Sequence, residues 1–263
     1  MPASPIFTLA GKTVAVIGAG SGIGEAAALS CSDAGADVAC LDIDAAAAER
    51  VAANIAVDNE PWWSIADVLN LGGLSDALRK VRDRNQRLDC VIATPGVNIR
   101  KPILDYTNEE FDKVLAVNLK GAFHVLKAAG TLMKPQGAGS IVLYSSIRSI
   151  TVEQGQGVYA ATKAGIVQLV RAAAAELGPC GIRVNAIAPG YVETPLTAQI
   201  QSDPEWRRAC AEKSILKRWA KPEEIAAPTA FLVSDAASFI TGAVIFVDGG
   251  WAAIDGRYDP PGM

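Results

Sequence analysis

The chain has 263 residues, of which 50% are hydrophobic and 20% charged, and its formal net charge is −4. This apolar content supports a large core, and the mild acidity gives no electrostatic signature of nucleic-acid or anionic-membrane binding. The single histidine and five scattered cysteines lack zinc-site spacing, so we expect no metal. With no secretory pattern at the amino terminus and no apolar run near ~18 residues, we expect a cytoplasmic protein without a membrane span.

Short β-branched runs alternate with helical patterns along the chain. Glycines, prolines and capping residues mark the ends of the elements, as in the capping box of Thr107 and Glu110. In chain order the sequence predicts strand 13–17, helix 22–34, strand 37–41, helix 44–55, strand 63–65, helix 74–84, strand 89–93, helix 108–133, strand 140–145, helix 158–177 and strands 182–188 and 243–247.

Apolar strands separated by helices indicate a parallel sheet that is covered on both faces. Seven such strands predict one α/β domain over residues 1–263, with a doubly wound, Rossmann-type sheet. The chain shows no linker and no internal repeat. The basic cluster at residues 79–87 is typical of a solvated helix face, so we expect no nucleic-acid partner.

A glycine-rich loop follows the first strand and precedes the first helix, with glycines at 18, 20, 22 and 24. Such a loop brings backbone N–H groups and a helix N-terminus to a pyrophosphate. Asp42, at the end of the second strand, is placed to accept the hydroxyls of an adenosine ribose and to repel a 2′-phosphate. We therefore expect NAD rather than NADP, with Asp44 as an alternative carboxylate.

At this point the sequence resembles the short-chain dehydrogenase/reductase family over nearly its whole length. The GxxxGxG loop of that family stands here as Gly18, Gly22 and Gly24. The residue before the loop is usually Thr and is Ile17 here, and the family's NNAG segment appears as residues 93–96 with only Gly96 kept. We expect the Thr94 hydroxyl to replace part of the lost bracing.

Tyr159 and Lys163 are spaced i, i+4 on a predicted helix, 13 residues after a strand that ends in two serines. The resemblance implies that Ser146, Tyr159 and Lys163 are catalytic, together with Asn118. A free phenol, with a pKa of ~10, is a poor base at neutral pH. We expect Lys163 and a positive nicotinamide ring to lower the pKa of Tyr159, which would then exchange a proton with the substrate oxygen.

The remaining motifs extend the expected cofactor site. The resemblance implies that Asp67 and Val68 contact the adenine ring. It also implies that the loop with Pro189, Gly190 and Thr194 contacts the nicotinamide. The expected cofactor-binding residues are Gly18, Ser21, Gly22, Ile23, Gly24, Asp42, Asp67, Val68, Gly96, Tyr159, Lys163, Pro189, Gly190, Val192 and Thr194.

Three further features concern the surroundings of this site. About residues 191–222 we expect a substrate lid, and residues 251–263 are predicted to form an ordered C-terminal arm that caps a neighbouring subunit. Since family members are often homotetramers, the resemblance implies a homo-oligomer, most simply a tetramer. The single histidine, His124, is predicted to be a packing or interface residue.

Residues near the catalytic group mix polar and apolar side chains, which favours a polyol, sugar acid or hydroxy acid as substrate. Arg148, Glu153 and Tyr191 are the predicted substrate contacts. Arg148 either pairs with a substrate carboxylate or forms a salt bridge with Glu153 or meets solvent.

The sequence thus predicts an NAD-dependent oxidoreductase that acts on a secondary alcohol or ketone. Two alternatives remain: a 3-oxoacyl-type carbonyl reductase that uses NADPH, and a non-catalytic nucleotide-sensing protein.

Overall fold

The computed structural model of the protein describes residues 7–55 and 62–254. Within them, one parallel sheet has the strand order β3-β2-β1-β4-β5-β6-β7. Its strands are β1 (Thr13–Ile17), β2 (Asp37–Asp42), β3 (Trp62–Ile65), β4 (Cys90–Ala93), β5 (Gly139–Tyr144), β6 (Ile182–Pro189) and β7 (Val244–Val247). The order reverses between β1 and β4, which confirms the predicted doubly wound fold and places a crevice at that switch point.

Helices cover both faces of this sheet in the described residues. They are α1 (Gly22–Asp33), α2 (Ala45–Asn54), α3 (Leu71–Asn85), α4 (Asn108–Leu115), α5 (Gly121–Met133), α6 (Gly157–Leu177), α7 (Ala198–Gln201), α8 (Pro204–Lys213) and α9 (Pro222–Val233).

Two differences from the predicted helices stand out. A π-helical turn, Ala116–Lys120, separates α4 from α5, so the helix predicted over 108–133 is not regular throughout. Helices α7 to α9 lie where only a lid was predicted or nothing at all. Helix α9 contains Pro228 in its interior, a residue that normally argues against a helix.

The sheet divides the core into two layers, as the alternating side chains of β1 show. Ala15 and Ile17 pack into the layer formed with α3, α5 and α6, whereas Val14 and Val16 pack into the layer formed with α1 and α9. All four side chains are fully buried. This double coverage explains why the strands read as nearly continuous apolar runs.

Among the described residues, no helix combines the length and the apolar character that a membrane crossing requires. The predicted C-terminal arm lies outside the described residues beyond residue 254.

Candidate active site

A cleft of about 540 Å³ opens at the carboxyl ends of the strands, on either side of the switch point. Its volume lies in the range of small-molecule and cofactor sites. Every residue predicted to bind the cofactor lines it: Gly18, Ser21, Gly22, Ile23, Gly24, Asp42, Asp67, Val68, Gly96, Tyr159, Lys163, Pro189, Gly190, Val192 and Thr194. The structure thus brings these residues together, and their contact with a cofactor stays a prediction.

The loop between β1 and α1 has no room for side chains at its critical positions. Gly18 has a φ of +82°, and a Cβ atom on Gly24 would lie 1.9 Å from the carbonyl oxygen of Gly18. The backbone of this loop can therefore approach a ligand closely, and the loop leads directly into the N-terminus of α1 at Gly22. This cradle fits the pyrophosphate of a dinucleotide.

Thr94 braces this loop from the neighbouring strand. Its Oγ1 lies 3.2 Å from the carbonyl oxygen of Ile17 and 3.1 Å from that of Gly18, both of which can accept its proton. The expectation that this hydroxyl replaces lost bracing is therefore confirmed at the loop itself.

Replacing Thr94 by Val should lower the free energy of unfolding by about 1–2 kcal/mol, because the side-chain volume stays while a donor to buried carbonyls is lost. We expect cofactor affinity to fall by roughly threefold to tenfold, since 0.7–1.4 kcal/mol of loop positioning corresponds to that range. Thr131→Val is the matched control, because Thr131 is exposed and donates to Lys127 within α5. Chemical denaturation and cofactor titration measure both effects, and equal losses in the two variants would contradict a bracing role.

The two candidate carboxylates at the end of β2 have separate tasks. Asp42 lines the cleft and accepts the N–H of Gly20 at 2.7 Å and that of Asp44 at 3.0 Å. Asp44 caps α2, where its side chain accepts the N–H of Ala47 at 3.1 Å. The structure therefore leaves Asp42 as the carboxylate that faces a ligand.

His124 supports the opposite side of the cleft. It is buried, and its Nδ1 lies 2.7 Å from the carbonyl oxygen of Val68, which lines the cleft. A Cβ atom on Gly121, one turn earlier, would lie 2.8 Å from the Val68 side chain. The prediction that His124 is a packing residue is confirmed.

Three buried side chains meet beside the glycine loop: Ser146 after β5, and Tyr159 and Lys163 one turn apart on α6. The Ser146 hydroxyl is near enough to the Tyr159 phenol to act on its pKa, which it lowers. The Nζ of Lys163 lies 5.5 Å from the ring centre of Tyr159 and donates to the carbonyl oxygen of Tyr144 at 2.8 Å. A substrate oxygen can thus reach two hydroxyl groups beside a buried cation.

The neighbouring serine has a different partner. Ser145 donates its hydroxyl to the carbonyl oxygen of Lys163 at 2.8 Å, which ties β5 to α6. Of the two consecutive serines, only Ser146 therefore presents its hydroxyl to Tyr159.

Burial is the largest influence of the protein on the pKa values of Tyr159 and Lys163. It raises the pKa of the Tyr159 phenol, and the Ser146 hydroxyl together with the positive charges of Arg100 and Arg148 opposes that rise. Burial lowers the pKa of Lys163 to about 8. The expected fall in the Tyr159 pKa is therefore not a property of the chain by itself, because desolvation outweighs the neighbouring charges.

Asn118 lies in the π-helical turn and fixes the loop that follows β4. Its Oδ1 accepts the N–H of Val97 at 2.8 Å, and its Nδ2 donates to the Val97 carbonyl at 2.9 Å and to Thr162 at 3.1 Å. Both polar ends of the amide are engaged, so in this structure Asn118 positions the wall of the cleft. Single π turns are frequent at functional sites.

The predicted substrate contacts do not line the cleft. Arg148 is 6% exposed and forms a salt bridge with Glu153 at 2.5 Å, and it donates to the Tyr191 hydroxyl at 2.7 Å. Its guanidinium also lies 5.6 Å from the ring centre of Trp251. Of the alternatives for Arg148, the structure shows the pairing with Glu153.

Sequence reasoning missed a cation near this site and two residues that line the cleft. Arg100, in the loop after β4, lies over the ring of Trp206 on α8, with 5.3 Å between its Cζ atom and the ring centre. The sequence did offer one signal for Arg100, because it lies in the loop that leaves the carboxyl end of a central strand, a few residues beyond Gly96. Leu196 and Thr197 also line the cleft and bring the predicted lid to its edge.

A doubly wound sheet with a glycine loop and a Ser–Tyr–Lys group defines a class of dinucleotide-binding oxidoreductases. The profile of the family described as "Enoyl-(Acyl carrier protein) reductase" matches residues 18–252. Levodione reductase of Leifsonia aquatica is 36% identical over 260 residues, which cover 95% of this chain and 97% of the relative. The 3-oxoacyl-(acyl-carrier-protein) reductase of Thermotoga maritima is 37% identical over 246 residues, which cover 92% and 98%.

Solved structures agree with these relatives. A gluconate 5-dehydrogenase of Burkholderia cenocepacia, in complex with NADP and tartrate, has a TM-score of 0.90 and 27% identity, with 95% of this chain and 98% of that one covered. The chain belongs to the short-chain dehydrogenase/reductase family and is an alcohol dehydrogenase or carbonyl reductase of that family.

Proposed function

We propose that the protein transfers a hydride between NAD(H) and a secondary alcohol or ketone of a small polar substrate, such as a polyol, sugar acid or hydroxy acid. The observation that carries this proposal is the meeting of Ser146, Tyr159 and Lys163 in the cleft that also holds the glycine loop. The gluconate dehydrogenase among the similar structures supports the substrate class.

In this proposal the bound nicotinamide supplies or accepts the hydride. Tyr159 gives its phenolic proton to the substrate oxygen during reduction and takes it back during oxidation. Ser146 donates a hydrogen bond to the same oxygen as charge develops, a contact worth about 3 kcal/mol at the transition state by analogy with oxyanion holes. Lys163 holds positive charge beside the phenol, and Asn118 keeps the facing loop in place.

The direct test is a screen of alcohols, polyols, hydroxy acids and their ketones with NAD and NADP, followed by the absorbance of the reduced cofactor. We expect turnover with at least one small hydroxylated compound. A purified, folded protein that binds NAD but turns over none of them would favour the nucleotide-sensing alternative.

Cofactor choice is expected to depend on the charge of Asp42. Asp42→Ala should reduce the ratio of kcat/KM for NAD to that for NADP by roughly 100-fold, because it removes a hydrogen-bond acceptor for the ribose and a like charge facing a 2′-phosphate. Asp44→Ala is the matched control, since it removes the same charge from the cap of α2 outside the cleft. Initial rates with both cofactors measure the ratio, and a wild type that prefers NADP would contradict this assignment.

The alternative of a 3-oxoacyl reductase that uses NADPH is supported by the 37% identical Thermotoga maritima relative and by the description of the matching family profile. The NADP in the similar gluconate 5-dehydrogenase structure supports the cofactor of this alternative. The carboxylate of Asp42 in the cleft and the net charge of −4 oppose it, since an acidic carrier protein and a 2′-phosphate both need cations. Faster turnover of a 3-oxoacyl thioester with NADPH than of any polar alcohol with NAD would decide for this alternative.

We also propose that residues 191–222 act as a lid. The two ends of the segment are joined by a short parallel bridge, in which the Ala220 N–H donates to the Tyr191 carbonyl at 2.9 Å and the Glu193 N–H donates to the Ala220 carbonyl at 3.0 Å. Between these pinned ends, Leu196 and Thr197 reach the cleft. Such a segment can close over a substrate while its ends stay fixed.

Finally, we propose a homotetramer in the cytoplasm. Phe111 on α4 and Phe123 on α5 are nearly half exposed, at 43% and 48%, on the face of the molecule that carries the long helices. Exposed aromatic side chains of this kind are typical of interfaces. Light scattering should give four times the mass of one chain, and a stable monomer would contradict the assembly.

A further inference from the structure

A group of charged side chains beside the catalytic residues is not electrically balanced. Two guanidinium groups, Arg100 and Arg148, face one carboxylate, Glu153, so the group carries a single excess positive charge. These side chains are largely buried, with exposed fractions of 16%, 6% and 25% respectively. An unpaired charge at such depth is costly unless an opposite charge joins it.

The excess charge resides on Arg100. One oxygen of Glu153, Oε2, already accepts hydrogen bonds from Arg148 at 2.5 Å, from Tyr191 at 2.8 Å and from Gln156. Arg100 approaches the same oxygen only to 3.7 Å, beyond hydrogen-bond distance. In the part of the chain that the structure describes, Arg100 donates no hydrogen bond, and its guanidinium lies over the ring of Trp206.

Arg100 also lies close enough to Tyr159 for its charge to act on the phenol. Its charge opposes the rise of the Tyr159 pKa, and no carboxylate acts on Tyr159 in the opposite sense. The loop that carries Arg100 begins at Gly96, where an added Cβ would lie 3.5 Å from Lys163 Nζ. A ligand that extends from Tyr159 along this loop would bring a second group toward Arg100.

The side-chain oxygen of Asn98, two residues before Arg100, also lacks a partner among the described residues. Asn98 donates through its Nδ2 to Gln156 at 3.0 Å, but its buried Oδ1 has no hydrogen-bond partner among the described residues. Buried polar atoms are nearly always hydrogen bonded. A hydroxyl group would satisfy this oxygen, just as a carboxylate would satisfy Arg100.

We propose that Arg100, rather than Arg148, binds the carboxylate of the substrate, which makes the enzyme selective for hydroxylated acids and their oxo forms over neutral polyols. This inference rests on the proposed function. The guanidinium offers a planar set of N–H donors that matches a carboxylate with two hydrogen bonds, and the Trp206 ring holds its face. Arg148 serves instead to fix Glu153 and Tyr191.

The experiment compares matched substrate pairs that differ only in a terminal group: D-gluconate with D-sorbitol, and D-threonate with D-threitol. Wild type should favour the acid of each pair. Arg100→Gln should raise the KM for the acid by about 10- to 100-fold, the cost of losing charge-assisted hydrogen bonds, and should leave the KM for the neutral partner within about twofold. Arg100→Lys, which keeps the charge but not the two-pronged geometry, should fall between them.

Arg208→Gln is the matched control, because Arg208 is 70% exposed on the same helix as Trp206 and, among the described residues, pairs with Glu212 alone. It should leave every KM unchanged. An equal rise in KM for acids and neutral polyols in Arg100→Gln would overturn the proposal. So would a fall in kcat with a shifted pH profile for both substrates, which would assign Arg100 to tuning Tyr159.

A binding measurement separates this inference from the proposed function. Titration of the NAD-loaded enzyme with D-gluconate should change the tryptophan fluorescence, and this change should be absent in Trp206→Phe and in Arg100→Gln. Binding of the acid without turnover of any compound in the screen would leave Arg100 as an anion site and contradict the oxidoreductase function. Turnover with fluorescence and kinetics insensitive to Arg100 would keep the function and overturn the carboxylate site.

Discussion

Replacing Tyr159 by Phe should reduce kcat by about 10³-fold, within the range that general acid–base catalysis contributes. The hydroxyl is the one group in the described cleft that is both influenced by the Ser146 hydroxyl and adjacent to a buried cation, Lys163. Without it, the substrate oxygen keeps the hydrogen bond proposed for Ser146 but loses the group that exchanges a proton with it. Stopped-flow or steady-state rates with any substrate found in the screen measure this loss.

NAD affinity and stability should change little in this variant. The phenyl ring still fills the space between α6 and the loop after β5, so NAD affinity should stay within about threefold and unfolding should shift by less than about 1 kcal/mol. Tyr106→Phe is the control, because its hydroxyl donates to the Ile99 carbonyl outside the cleft. Full activity of Tyr159→Phe would remove this residue from the mechanism and reopen the nucleotide-sensing alternative.

The fold and the cofactor cleft were predictable because both depend on local patterns. Buried parallel strands show as short apolar runs, and a strand–glycine–helix loop shows in four glycines whose positions are fixed by backbone geometry. The i, i+4 spacing of Tyr159 and Lys163 likewise determines that both share one face of α6. Such features need no knowledge of what lies across the cleft.

The residues proposed to bind the substrate were not predictable from local patterns of this kind. The position of Arg148, two residues beyond Ser146, left open a substrate carboxylate, Glu153 or solvent as its partner. Its side chain pairs with Glu153 and also donates to Tyr191, 43 residues away. Arg100 depends on Trp206, over 100 residues away, for its place beside the site. Sequence proximity to a catalytic residue therefore does not show what a side chain pairs with, and the proposal for Arg100 rests on charge balance in three dimensions.

Protonation states needed the structure for a similar reason. The sequence places Lys163 near Tyr159, which by itself suggests a lowered phenol pKa. The structure adds that both groups are buried, and burial raises the pKa of the phenol while it lowers that of the lysine to about 8. Desolvation depends on every element that covers the site, and no spacing rule reports it.

Replacing Gly24 by Ala should affect both stability and cofactor binding. The added methyl group would lie 1.9 Å from the Gly18 carbonyl oxygen, a backbone atom that cannot rotate away, so the loop has to move as a whole. We expect unfolding to become easier by about 3 kcal/mol, as in overpacked cores, which corresponds to a Tm lower by roughly 6–12 °C in a chain of this size. NAD affinity should fall by at least about 100-fold, because the N–H groups that face the pyrophosphate are displaced.

Gly178→Ala provides the matched control for this substitution. Gly178 ends α6 with φ −54° and ψ −44°, and an added Cβ atom would meet nothing within 4 Å. Alanine there should leave NAD affinity unchanged and raise stability slightly, by up to about 1 kcal/mol, because alanine restricts the unfolded chain. Calorimetry and NAD titration on both variants test the loop directly. If Gly24→Ala bound NAD as tightly as Gly178→Ala does, the close approach of Gly24 to Gly18 would not be what shapes the cofactor cradle.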